Sequence, residues 1–123
     1  MSGVRGYIDE FGQPFVPITL GGIRRQFDLD AIVDTGFNGD VCLPLGIAVQ
    51  LGLELKAVQD VEYADGTVRR ELVFRGQIKF GDRKHRVEIT LTEAADALVG
   101  TRLLQDSVLE IDFSNLTVEI KED

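Results

Sequence analysis

Asp34, Thr35 and Gly36 are the residues whose types and spacing best fit chemistry. They follow the apolar run Ala31-Ile32-Val33 and precede Phe37-Asn38-Gly39. A carboxylate at the end of a hydrophobic strand, followed by a small hydroxyl residue and a glycine, describes an acid held on a tight turn. Glycine lets the backbone turn sharply and approach a neighbour closely, and the Thr35 hydroxyl can tie the turn down. A lone aspartate of ordinary pKa is ionised at neutral pH and is a weak base. Two carboxylates held about 3 Å apart behave differently, because they cannot both ionise and so share a proton. Such a pair offers one base to deprotonate a water and one acid to protonate a carbonyl oxygen. The protons then belong to the pair rather than to either residue. The sequence holds one Asp-Thr-Gly triplet, so a pair requires a second chain. A plain alternative stands beside this reading: Asp and Gly are common in turns that follow strands.

The elements that must position Asp34 read as mostly β. Short apolar and β-branched runs are broken by Gly, Asp and Asn at close spacing. Strands are expected over Val4 to Asp9 and Phe15 to Leu20, around the Gly12-Gln13-Pro14 break, with a turn at Gly21-Gly22. Arg24 to Leu29 and Ala31 to Asp34 supply the next strand material. Glu54 to Tyr63 and Thr67 to Phe74 flank Asp65-Gly66, a two-residue hairpin signal. Gln77 to Phe80 and Arg86 to Leu91 flank Gly81-Asp82, and Val108 to Phe113 and Leu116 to Lys121 flank Ser114-Asn115. Two short helices are expected. Leu45 to Leu51 follows Pro44 and stops at Gly52. Thr101 to Asp106 follows Gly100, with Thr101 as its N-cap. The fold class is all-β: one domain over residues 1–123, a small closed barrel or sandwich with one or two short helices.

Bulk properties exclude several function classes. A chain of 123 residues fits one domain. Its 44% hydrophobic and 28% charged content is ordinary for a globular domain. The net charge of −8 argues against nucleic acid or an anionic membrane as partner. One cysteine, Cys42, permits no intrachain disulfide. No signal peptide and no membrane-spanning stretch is read, so the expected location is the cytoplasm.

The order of features resembles a known family. An apolar run enters Asp34-Thr35-Gly36. A hairpin tip follows at Tyr63-Ala64-Asp65-Gly66-Thr67. A second apolar run, Ala97-Leu98-Val99, ends in Gly100. Over residues 25 to 118 this resembles the retropepsin-like aspartic proteases, most closely the small microbial subgroup whose motif reads Asp-Thr-Gly-Phe. Aspartic proteases are the type case of the shared-proton pair described above. The resemblance implies a closed barrel active as a homodimer, with Asp34 as the catalytic acid of each subunit. It implies that Thr35 bonds across a two-fold axis and that Gly36 lets the two loops meet. It makes Ala64, Asp65, Gly66 and Thr67 the tip of a flap over bound peptide. Leu98, Val99 and Gly100 would pack behind the Asp34 loop and line part of the cleft, and Phe37 and Asn38 would border substrate. The implied partners are a peptide or protein substrate and a second copy of the chain, with no cofactor and no metal.

Two departures stand out. Phe37 is bulky where many relatives carry a small residue. Thr101-Arg102 replaces the Arg-Asp or Arg-Asn that often follows the second glycine, which leaves Arg102 as a support one position later. Both departures motivate a second reading, a catalytically silent dimeric module that binds extended peptides. Terminal strands, Val4 to Asp9 or Leu116 to Lys121, are the expected sites of pairing between subunits.

Other constellations are weaker. Asp34 to Leu45 imitates a calcium loop, but Gly36 and Leu45 stand where ligating side chains are needed. Cys42 and His85 form a dyad only on paper, since Cys42 sits between Val41 and Leu43 and His85 within a basic turn. Arg69-Arg70 and Arg83 to Arg86 lack the interleaved aromatics of a nucleic-acid surface.

Overall fold

The computed structural model describes residues 3–122. The chain runs β1 (Gly3–Ile8), β2 (Pro14–Gly21), β3 (Gln26–Val33), β4 (Val41–Pro44), α1 (Leu45–Leu51), β5 (Glu54–Glu62), β6 (Val68–Phe80), β7 (Arg83–Thr92), β8 (Ala97–Val99), β9 (Ser107–Asp112) and β10 (Thr117–Glu122). Six strands close a barrel in the order β2-β3-β8-β4-β7-β6, with β6 returning to β2. Closure occurs where Thr19, Leu20 and Gly21 pair with Lys79, Ile78 and Gln77. Alternation along the strands turns Val16, Ile18, Leu20, Ile78, Phe80 and Ile89 inward, and all are buried.

β6 serves two partners along one edge. Up to Arg75 it pairs with β5, and from Gln77 it pairs with β2. Gly76 marks the switch, where a Cβ would lie 2.6 Å from Ile89 Cδ1. The outer part of the β5–β6 hairpin therefore stands off the barrel, and β5 is exposed along nearly its whole length. The loop at its tip is longer than the two residues expected. Tyr63 N–H donates to Thr67 O at 2.8 Å and Gly66 N–H to Tyr63 O at 2.9 Å. Ala64, Asp65 and Gly66 make the turn, with Gly66 at φ 85°, the left-handed position that such a three-residue loop requires.

Of the two expected helices, one forms. α1 ends at Gly52, whose φ of 69° and ψ of 59° give the left-handed C-cap, and it buries Ala48 and Leu51. Residues Thr101 to Asp106 are a run of turns instead. Leu104 N–H reaches back to Thr101 O and Ser107 N–H to Leu104 O. Asp106 takes φ 65°, which breaks any helical path. The Thr101 hydroxyl donates to Phe37 O at 3.4 Å rather than capping.

The terminal strands pair within the chain. β10 is paired on both edges, by β1 and β9. β1 pairs with β10 along Gly3 to Tyr7 and with β2 at Tyr7 and Ile8. The strands with a single neighbour, among the described residues, are β5 and β9. The expected β9–β10 hairpin is present, with a four-residue connection in which the Asp112 carboxylate accepts from Ser114 N–H, Asn115 N–H and the Asn115 amide. No helix among the described residues is long and apolar enough to cross a membrane.

Candidate active site

Asp34 is the first residue after β3, and a parallel neighbour fixes its position. β3 and β8 pair with Val33 opposite Val99, and Asp34 N–H donates to Val99 O at 3.0 Å. The Asp34 carboxylate then accepts from Gly36 N–H at 2.9 Å. Phe37 N–H donates to Asp34 O at 3.1 Å, closing the turn. Backbone bonds thus hold the Asp34 main chain on both sides, and the Gly36 N–H orients the carboxylate. Asp34 is half-buried, while Thr35, Gly36 and Asn38 are exposed at the same end of the barrel.

The second glycine clamps this loop from behind. Gly100 N–H donates to Asp40 O at 3.0 Å, Thr101 N–H to Phe37 O at 2.9 Å and Arg102 N–H to Gly39 O at 3.3 Å. Three successive amides thus satisfy three loop carbonyls. A Cβ on Gly100 would lie 2.3 Å from Gly39 O and 2.6 Å from Phe37 O, so the approach requires glycine. The Phe37 ring folds back over Gly39 and Gly100. Its bulk therefore packs on the two glycines while one side borders a cavity.

That cavity, about 620 Å³, joins the Asp34 loop to the stem of the hairpin. Gly36, Phe37 and Asn38 line it from the loop, and Gln59, Val61, Tyr63 and Glu71 from the hairpin. The tip residues Ala64, Asp65, Gly66 and Thr67 lie beyond its lining, as do Asp34, Leu98, Val99 and Gly100. The tip is internally ordered: the Asp65 carboxylate accepts from Thr67 N–H at 3.0 Å and the Thr67 hydroxyl at 2.6 Å. Tyr63 OH donates to Glu71 at 3.0 Å, and Arg69 lies 5.6 Å over the Tyr63 ring.

Beneath the loop sits a charged cluster that the sequence reading saw only in part. Asp40 is buried, and its Oδ2 accepts from Glu88 N–H at 3.0 Å. Its Oδ1 lies 3.9 Å from Arg102 Nε. Arg102 Nη1 donates to Glu88 Oε1 at 3.0 Å, and Lys56 Nζ to Glu88 Oε2 at 3.0 Å. The Lys56 and Arg102 hydrogen bonds hold the Glu88 carboxyl below its ordinary pKa, against a smaller desolvation effect. Glu88 and then Asp40 raise that of Arg102. Arg102 was legible as a support from its place after Gly100. Asp40 was not, because other acids that precede an apolar residue, Asp30, Asp60 and Asp96, are exposed, so the sequence context does not mark it.

The Cys42–His85 dyad is not brought together. Cys42 pairs opposite Thr90 and Leu98, well along β7 from His85, which is opposite Ile78. Burial raises the Cys42 thiol pKa, which disfavours the nucleophilic thiolate.

Comparison with solved structures defines the fold. A retropepsin-like aspartic protease from Rickettsia conorii superimposes with a TM-score of 0.73 and 16% identity, over 98% of this chain and 90% of that one. EIAV protease, complexed with the inhibitor HBY-793, superimposes with a TM-score of 0.58 and 15% identity, over 76% of this chain and 86% of that one. The chain has the retropepsin-like fold. It matches no protein-family model and no curated protein sequence.

Proposed function

We propose that residues 1–123 form one domain of an aspartic endopeptidase that works as a homodimer, each subunit supplying Asp34. The observation that carries this reading is the Asp34 carboxylate, aimed by Gly36 N–H and anchored to β8 at an exposed end of the barrel. The fold shared with two proteases supports it. In the dimer, one Asp34 is the carboxylate and its mate the carboxylic acid. The carboxylate takes a proton from water, which attacks the peptide carbonyl. The acid protonates the carbonyl oxygen. As the diol intermediate collapses, one of its hydroxyls returns a proton to the pair, the C–N bond breaks and the leaving nitrogen takes a proton from the pair, which is left singly protonated as at the start. Thr35 and Gly36 form the meeting point of the two loops. The hairpin tip, Ala64 to Thr67, covers an extended substrate, Phe37 and Asn38 border its cleft, and Leu98, Val99 and Gly100 support the Asp34 loop from behind.

The test is cleavage of unfolded protein or a peptide library from acidic to neutral pH. Asp34→Asn should lower the rate by about 10²–10⁴-fold or more, because an amide cannot share the proton. Cleavage that survives the substitution would overturn the reading. Peptide binding without any cleavage would make the chain a silent peptide-binding module instead.

A further inference from the structure

We propose that Glu88 is a positioning residue that couples the β5–β6 hairpin to the loop bearing Asp34, with Lys56 as its link on the hairpin side. The proposal rests on the protease reading only for its kinetic consequences.

Lys56 is set apart from the other charged residues of the hairpin. The β5–β6 register slips between Leu55 and Ala57, so Lys56 is the bulged residue left out of the ladder. A bulge re-aims the side chain it carries. The other ion pairs of β5, Asp60 with Arg70 and Glu54 with Arg75, stay within the hairpin. Lys56 instead reaches past β6 to Glu88 on β7 at 3.0 Å.

Glu88 divides its carboxylate between two partners. Oε2 holds Lys56, and Oε1 holds Arg102 at 3.0 Å. Its backbone N–H holds Asp40 at 3.0 Å. Asp40 and Arg102 are in turn the residues whose backbone O and N–H close the clamp on the Asp34 loop. A displacement at the hairpin base therefore reaches the Asp34 loop through this side chain, in addition to the β6–β7–β4 ladder. Two cavities, about 600 and 620 Å³, lie on either side of this cluster, and Asp40, Glu88 and Arg102 line both. The cluster is the lining the two cavities share.

The two links predict different kinetic signatures. Lys56→Met frees the hairpin base but leaves the Glu88–Arg102 bond. It should raise KM about threefold and leave kcat within about twofold, and amides at the hairpin base, residues 55–57 and 73–75, should exchange about threefold faster. Glu88→Gln weakens both links, so it should raise KM similarly and also lower kcat by about threefold or more. Adding Lys56→Met to Glu88→Gln should change KM little further, because both remove one link. Arg70→Met, which breaks an ion pair inside the hairpin, should leave KM and exchange at the base unchanged. Hydrogen exchange on the intact protein decides the coupling even where no cleavage is found, so its failure is separable from failure of the protease reading. Unchanged exchange in Lys56→Met would overturn the proposal. So would an equal effect of Arg70→Met, or additive effects of Lys56→Met and Glu88→Gln.

Discussion

Gly39 and Gly100 both meet the Phe37 ring, yet they should answer differently to the same substitution. The atoms nearest a Cβ on Gly39 all belong to that ring, with Cζ at 2.7 Å and Cε1 at 2.8 Å. A Cβ on Gly100 would strike the ring at 2.6 Å but also two backbone oxygens, at 2.3 and 2.6 Å. Gly39→Ala and Gly100→Ala should each destabilise by about 1–3 kcal/mol through overpacking. Phe37→Leu removes the aromatic edge and should rescue Gly39→Ala by about 1 kcal/mol in a double-mutant cycle. The same change should not rescue Gly100→Ala, whose closest obstacle is backbone. Denaturant unfolding of the five variants checks this. Equal rescue at both glycines would mean that the ring, not the backbone approach, sets the packing behind Asp34. Asp40 offers a second test at this scale. Asp40→Ala leaves Glu88 N–H without its acceptor, at a cost of about 1–3 kcal/mol.

At the scale of elements, the hairpin is tied at both ends by carboxylates whose pKa values are lowered. Asp65 at the tip is held below its ordinary 3.8, first by the Thr67 hydroxyl and then by the Thr67 amide. Glu88 at the base is held below its ordinary 4.5, first by Lys56 and then by Arg102. A lowered carboxyl pKa contributes stability that is fully present above the ordinary value and is lost as pH falls through the folded value. The hairpin should therefore stay ordered from neutral pH down to about pH 5 and loosen below about pH 4. Amide exchange along β5 and β6, corrected for its intrinsic pH dependence, should show that step. In Glu88→Gln the base is already loosened at neutral pH, so only the tip should respond to acid. A step of full size in that variant would remove Glu88 as its source.

The same elements show what the sequence made legible. Hairpins announced themselves because Asp65-Gly66, Gly81-Asp82 and Ser114-Asn115 are local turn chemistry, and α1 because Gly52 caps it. Short β4 and β8 did not, since their parallel partners β7 and β3 are distant in sequence and no turn residue marks such pairing. Asp30 fell between the stretches read as Arg24 to Leu29 and Ala31 to Asp34, because an acid between apolar residues looks like a break, whereas β3 runs through it. The Thr101 to Asp106 helix does not form because the segment closes in three-residue turns, Leu104 N–H to Thr101 O and Ser107 N–H to Leu104 O, and Asp106 turns left-handed to enter β9. Asp34 and Gly100 were readable as two points in sequence; their contact through Val99 was not, because it depends on β3 and β8 lying side by side.

For the whole molecule, the remaining question is how two copies meet. The chain carries a net charge of −8, so two copies repel at low ionic strength. Of the expected pairing strands, β10 is enclosed on both edges and β1 is open on one edge from Gly3 to Gly6, while β9 has one whole edge open. Its Leu109 and Ile111 pack against the core yet remain half-buried, and Val108 on the other face is 57% exposed. An open edge of this kind is a template for pairing with another chain. If the Asp34 pair forms across a dimer, activity per chain should fall as the protein is diluted below its dimerisation constant. Raising salt from about 0.02 M to about 0.5 M should restore activity at a given dilution, because screening weakens the mutual repulsion. Val108→Lys should shift both the activity curve and the dimer fraction, measured by sedimentation velocity, to higher concentration, by about tenfold. A variant that shifts neither would place the contact away from β9. Activity per chain that holds constant into the monomeric range would show that one Asp34 suffices, and the shared proton would then have to be abandoned.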